Sequence, residues 1–134
     1  MSVEESKDVV RRFVADVWNN KNPGLATEIL SPEYTVHFSG YPTMGYEQYM
    51  QYFPQQLIAW PDVEVAVEVV IGEGDMVGIR YRWHGTHSAE AYGVAATGKR
   101  VGTEGNAFYR VVDGRIVEGW VVEDINSLLQ QLRS

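Results

Sequence analysis

Residues 63–83 read VEVAVEVVIGEGDMVGIRYRW, and this stretch decides the fold. Val63, Val65, Val67, Val69 and Ile71 alternate with Glu64, Ala66, Glu68 and Val70, the period of a long amphipathic strand. Glu73-Gly74-Asp75 turns the chain. Val77, Ile79, Tyr81 and Trp83 then alternate with Arg80, Arg82 and His84, which predicts an antiparallel partner. Downstream, a loop containing Gly93 and Gly98 leads to a third strand near residues 101–112. Asp113-Gly114 is a tight hairpin signal, and a fourth strand follows over residues 115–122. Asp124 opens a last helix carrying Ile125, Leu128, Leu129 and Leu132.

Upstream of the meander the apolar period changes from two to about three and a half. Ser2 and Glu5 have the spacing of a capping box, and Val10, Phe13, Val14, Val17 and Trp18 then predict a helix to about Asn19. Asn22-Pro23-Gly24 stops it. A short helix over residues 25–30 and a short strand over residues 34–38 follow. From Gly45, the residues Tyr46, Tyr49, Met50, Phe53 and Leu57 predict another helix, kinked at Pro54 and ended by Trp60-Pro61-Asp62. Helices first, then a meander with one closing helix, define α+β rather than alternating α/β. Long antiparallel strands twist and curl. The expectation is a cone-shaped fold: a curved antiparallel sheet packed with N-terminal helices around a central pocket, in a single domain over residues 1–134.

Composition narrows the function. The chain has 134 residues, room for one core and little more. A formal net charge of −7 repels phosphate backbones and argues against nucleic acid. With no cysteine, disulfides, thiol catalysis and cysteine zinc sites are excluded. Three scattered histidines make no metal motif, so no metal and no cofactor are expected. No apolar run approaches a membrane span, and the acidic N-terminus is unlike a signal peptide, so a cytoplasmic location is the default expectation. Four Trp and eight Tyr supply either core filling or the walls of a site for a small hydrophobic molecule. Trp18, Tyr34, Phe53, Trp83 and Val121 are the candidate lining.

Several segments together resemble the SnoaL-like polyketide cyclase family, within the nuclear transport factor 2-like superfamily. Val10-Arg11-Arg12-Phe13 with Val17-Trp18-Asn19 is similar to its first helix, and Leu30-Ser31-Pro32-Glu33-Tyr34 to the step that follows. Gly85-Thr86-His87, Tyr92-Gly93-Val94 and Thr97-Gly98-Lys99-Arg100-Val101 resemble its loop. Phe108-Tyr109-Arg110, Asp113-Gly114-Arg115-Ile116, Glu118 and Trp120 resemble its last hairpin. The resemblance implies a central cavity and often a homodimer formed through the sheet. It also implies ring closure of a polyketide ester without metal or cofactor, by a histidine and an aspartate on neighbouring strands. The gapless register puts that histidine at Ala107 and that aspartate at Val121, neither of which moves a proton. The cyclase pair is therefore not carried over.

Proton transfer then needs another titratable group in the pocket. The catalytic candidates are His87, His37 and Glu123. His87, before the glycine-containing loop, is either a pocket acid/base or an anchor of that loop. His37 is three residues from Tyr34, on the opposite face of a regular strand. Glu123 shares strand parity with Val121 and reaches the cavity rim. Asp124 reads as a helix cap, and Glu104, Asn106 and His84 read as outward. Two functions remain open: a cyclase-, isomerase- or hydratase-like enzyme on a hydrophobic carbonyl compound, or a protein that binds a small apolar ligand without chemistry.

Overall fold

The computed structural model describes residues 1–134. In chain order the elements are α1 (Val3–Arg12), running on as a wider π-type segment (Phe13–Asn19), α2 (Pro23–Ile29), β1 (Leu30–Phe38), β2 (Met44–Gly45), α3 (Tyr46–Ala59), β3 (Glu64–Glu73), β4 (Met76–Thr86), β5 (Arg100–Val112), β6 (Arg115–Glu123) and α4 (Ile125–Arg133). The six strands form one sheet in the order β2-β1-β6-β5-β4-β3. The four long strands are antiparallel, as the alternation requires, while β1 joins the edge of β6 in parallel. The sheet is thus mixed, and only its meander is antiparallel throughout.

Local chemistry places the helices. Ser2 and Glu5 close the capping box of α1, and Asp124 accepts the Ser127 N–H to cap α4. The first helix widens at Phe13, so that the Asn20 and Asn22 N–H groups reach back five residues to Ala15 and Val17. The widening brings Phe13, Val14 and Trp18 together onto the hollow side of the sheet. The end of this segment also manages an exposed strand edge. The Asn19 side chain donates to Val65 O at 2.9 Å and accepts from Val65 N at 2.7 Å, taking the place of a neighbouring strand.

The regular alternation read over residues 63–71 does not hold to its end. Val67 pairs with Tyr81 but Val69 with Arg80, so Glu68 is an extra residue in β3. The bulge flips the face, leaving Val69 and Ile71 exposed on the outer side. The inner rows are Val77, Ile79, Tyr81 and Trp83 on β4, Ala107 and Tyr109 on β5, and Gly119, Val121 and Glu123 on β6. The helices cover only part of this concave face. Asn19→Ala should cost about 1–3 kcal/mol, because Val65 loses both edge partners in a half-buried site. An unchanged urea midpoint would show that the edge does not depend on this pair.

Candidate active site in the apolar cavity

Between sheet and helices lies a cavity of about 470 Å³ lined by 26 residues, 20 of them hydrophobic. That is the size and character of a site for a small organic molecule. Seven of the eight tyrosines, all but Tyr46, line it. The lining holds one charged side chain, Glu123, and no lysine, arginine or histidine.

Glu123 comes from the last residue of β6, where strand parity continues inward from Val121. Its Oε1 accepts two hydrogen bonds, from Tyr81 Oη at 2.8 Å and Trp83 Nε1 at 2.9 Å. Its Oε2 has no protein partner and is not sealed off. Burial without a counter-ion pushes the Glu123 carboxyl above the ordinary range, and the Tyr81 and Trp83 donors oppose that rise. The phenols nearby respond in turn. Burial first, and the charge of Glu123 second, push those of Tyr52, Tyr81 and Tyr109 upward. Burial raises Tyr92 as well, followed by its neighbours Tyr52 and Glu123. These phenols stay neutral at ordinary pH and so remain O–H donors. The arrangement offers one carboxylate oxygen to the cavity, with hydroxyl donors around it in a mostly apolar wall.

Trp18, Tyr34, Trp83 and Val121 lie in the cavity wall. Phe53 does not. It is buried behind the wall, edge-on to Trp18 at 4.6 Å and stacked on Tyr49 at 6.1 Å. Neither candidate histidine reaches the cavity. His37 follows its strand parity to the outer face, because the irregularity of β1 lies before Thr35 and does not turn it inward. There its Nε2 pairs with Glu118 Oε2 at 2.7 Å, and its ring stacks on Trp120. His87 is fully buried, but Trp60 stands between it and the hollow, stacked on the imidazole at 5.1 Å. Its Nδ1 accepts the Thr97 N–H, and its backbone N–H and C=O bond to Lys99 and Gly98. This is the loop-anchoring geometry. The anchored loop carries Tyr92 into the cavity wall.

The alternation alone already placed Tyr81 and Tyr109 on the faces of Trp83 and Ala107, so their inward direction was legible though not singled out. Tyr52, Tyr92 and Trp60 reach the cavity from a helix, a loop and a helix end, where no strand parity guides the reading. Ala107 and Val121 are register partners at the middle of the concave face.

A curled sheet closed by helices over an aromatic cavity of small-molecule size, with a single buried carboxyl inside, defines the class as α+β with a central pocket. The chain belongs to the SnoaL-like polyketide cyclase family, whose family model matches residues 8–132. Among solved structures it is similar to AclR of Streptomyces galilaeus, provisionally described as a hydroxylase. That likeness has 29% identity and a TM-score of 0.89, over 98% of this chain and 83% of that one. It is also similar to a provisionally assigned polyketide cyclase of Acidithiobacillus ferrooxidans, with 27% identity and a TM-score of 0.86, over 99% and 98% of the two chains. IdmH of Streptomyces antibioticus, likewise provisionally assigned as a polyketide cyclase, has 27% identity and a TM-score of 0.84, over 96% and 99%. No curated protein matches the chain.

The position of Glu123 has a consequence for stability. A carboxyl that holds its proton more tightly folded than unfolded favours the fold while protonated. That contribution is complete below the ordinary carboxyl value of 4.5 and is lost as pH rises through the raised value in the fold. Glu123→Gln should remove this loss, so its stability advantage over the parent should grow as pH rises. Urea unfolding from about pH 4 to about pH 8 checks this; parallel pH curves for the two proteins would contradict it.

Proposed function

We propose that this protein is a cofactor-free acid/base enzyme acting on a small hydrophobic carbonyl compound, with Glu123 as the group that moves the proton. The observation that carries the reading is the single carboxyl in an otherwise uncharged cavity, with one oxygen held by the protein and the other open. In the ionised form, Oε2 accepts a proton from the carbon next to the substrate carbonyl. Negative charge then develops on the carbonyl oxygen, and neutral phenols of the wall donate hydrogen bonds to it. Tyr52 and Tyr92 are suited to this, since both sense the charge of Glu123 and neither spends its hydroxyl on another side chain. Either the resulting enolate carbon attacks a second carbonyl, whose oxygen takes the proton back from Glu123 as the ring closes, or, where the enolate is conjugated with a double bond, the far carbon takes that proton instead. These are the cyclase and isomerase outcomes of one first step. The raised affinity of Glu123 for its proton suits a group that must both take and return it.

Deuterium uptake next to the carbonyl tests the reading without knowledge of the full reaction. A panel of neutral hydrophobic 1,3-dicarbonyl probes is incubated with the protein in D2O and followed by NMR. The parent should accelerate exchange, Glu123→Gln should lose about 10²–10⁴ of that acceleration, and His37→Ala should keep it. Equal exchange in parent and Glu123→Gln would remove Glu123 from the role.

One observation favours a second reading, a binding protein without chemistry. Ala107 and Val121, at the centre of the concave face, are both unable to move a proton. A ligand recovered unchanged from the native protein after long incubation, with no exchange on any probe, would favour it.

The second copy implied by the family resemblance fits the outer sheet face. Phe108 and Val122 are 49% and 59% exposed there, beside Val69 and Ile71. Glu68 and Glu104 alternate with Arg80 and Arg82 across the same face, a pattern that a twofold axis makes self-complementary. Sedimentation should show a dimer that Val122→Asp converts to monomer. A parent that sediments as a monomer would rule this out.

A further inference from the structure

Tyr81, Gly105 and Glu123 form one row across three neighbouring strands. Tyr81 pairs with Gly105 between β4 and β5, and Gly105 pairs with Glu123 between β5 and β6. The outer members are therefore two strand spacings apart, about 10 Å at the backbone. Yet the Tyr81 hydroxyl lies 2.8 Å from the Glu123 carboxyl. The phenol reaches it by lying across the middle strand, over the one position in the row that has no side chain.

The backbone does not demand glycine there. Gly105 has none of the left-handed torsion angles seen at Gly93, Gly98 or Gly114. The β4–β5 register runs without interruption from Gly102 to Arg110, so position 105 is not a bulge. Space is what excludes a larger residue. A Cβ at Gly105 would stand 2.7 Å from Tyr81 Oη, 2.9 Å from Tyr81 Cζ and 2.6 Å from the Val122 carbonyl oxygen. The next row toward the sheet's middle, Ile79, Ala107 and Val121, shows the contrast. Its central residue has a side chain, and no polar group crosses it.

We propose that Gly105 is a positioning residue for Glu123: the gap it leaves in β5 lets Tyr81 span two strands and hold Oε1, which turns Oε2 to the cavity. The functional meaning rests on the reading of Glu123 as the proton-transfer group. The geometry does not. Tyr81 and Trp83 both bind the same oxygen, so together they fix the plane of the carboxyl rather than merely neutralise it. Losing the Tyr81 donor leaves the buried carboxylate with one partner in a mostly apolar wall, and its proton is held more tightly.

The experiment follows the ionisation of Glu123 by NMR in full-length protein labelled with ¹³C at the glutamate Cδ. The Glu123 signal is identified by its loss in Glu123→Gln. Tyr81→Phe and Gly105→Ala should each raise the titration midpoint by roughly one pH unit, about tenfold in proton affinity. The double variant should rise no further than the larger single change, because both substitutions remove the same contact. An unmoved midpoint in either variant, or additive shifts in the double, would overturn the proposal.

If Gly105→Ala alone is too unstable to titrate, Tyr81→Ala is compared with Tyr81→Ala/Gly105→Ala by thermal unfolding. With the phenol gone, the contact with the Val122 carbonyl oxygen remains but the clash with Tyr81 is relieved, so Gly105→Ala should lower the melting temperature less in the Tyr81→Ala background than in the parent. An equal loss in both backgrounds would assign glycine to the Val122 carbonyl alone and overturn the proposal. Deuterium exchange separates this from the function. Exchange that survives Glu123→Gln ends the catalytic reading, while the titration result still stands or falls on its own.

Discussion

The carboxyl group of Glu123 lies in an aromatic hollow without a counter-ion, and much of the surrounding structure is arranged so that it can. Burying a charge in this way is costly unless it is hydrogen-bonded. The Tyr81 hydroxyl and the Trp83 indole N–H supply two bonds to one oxygen. Both donors stand on β4, two strands away, so the arrangement needs a sheet in strict register across three strands and a glycine in the middle. The bulge at Glu68 lies on the other side of β4 and leaves that register intact. Burial and hydrogen bonding thus pull the carboxyl in opposite directions, and burial dominates.

The rest of the fold keeps the hollow open and mostly apolar. The widened end of the first helix turns Phe13, Val14 and Trp18 to it, α3 contributes Tyr49 and Tyr52, and the loop fastened by His87 contributes Tyr92. Tyrosine suits such a wall because its ring is apolar and its hydroxyl is not. An all-phenylalanine wall would be as apolar but would offer no hydrogen-bond donor. The absence of any basic side chain from the lining also limits what the cavity could accommodate. An anionic group brought in there would meet Glu123 with nothing to offset the repulsion.

The meander was the most legible part of the sequence, since period-two alternation in residues 63–83 and the Asp113-Gly114 turn fix strands and faces locally. The parallel seating of β1 on β6 was not legible. It depends on packing between distant segments, and a strand's own pattern does not say which edge it joins. The bulge at Glu68 was hidden because Val69, Val70 and Ile71 are all apolar, so either face suits them. In the site, strand parity put Glu123 on the face of Val121 and opposed His37 to Tyr34, which is how the structure places them. It could not find Trp60 between His87 and the cavity, since that contact joins a helix end to a loop base. Phe53 failed for a related reason: helical spacing identifies a buried stripe but not which ring in it forms the wall. Neither a turn nor a positive torsion angle marks Gly105; its structural role is the empty space above it.

The central claim is that the cavity holds Glu123 as a poorly solvated carboxyl. Direct titration of its ¹³Cδ signal in the unaltered protein tests this most simply. The account requires a midpoint clearly above 4.5, the ordinary value for a glutamate. A midpoint at or below that value would mean that water or a cation reaches the group freely, and the chemistry assigned to the cavity would have no foundation.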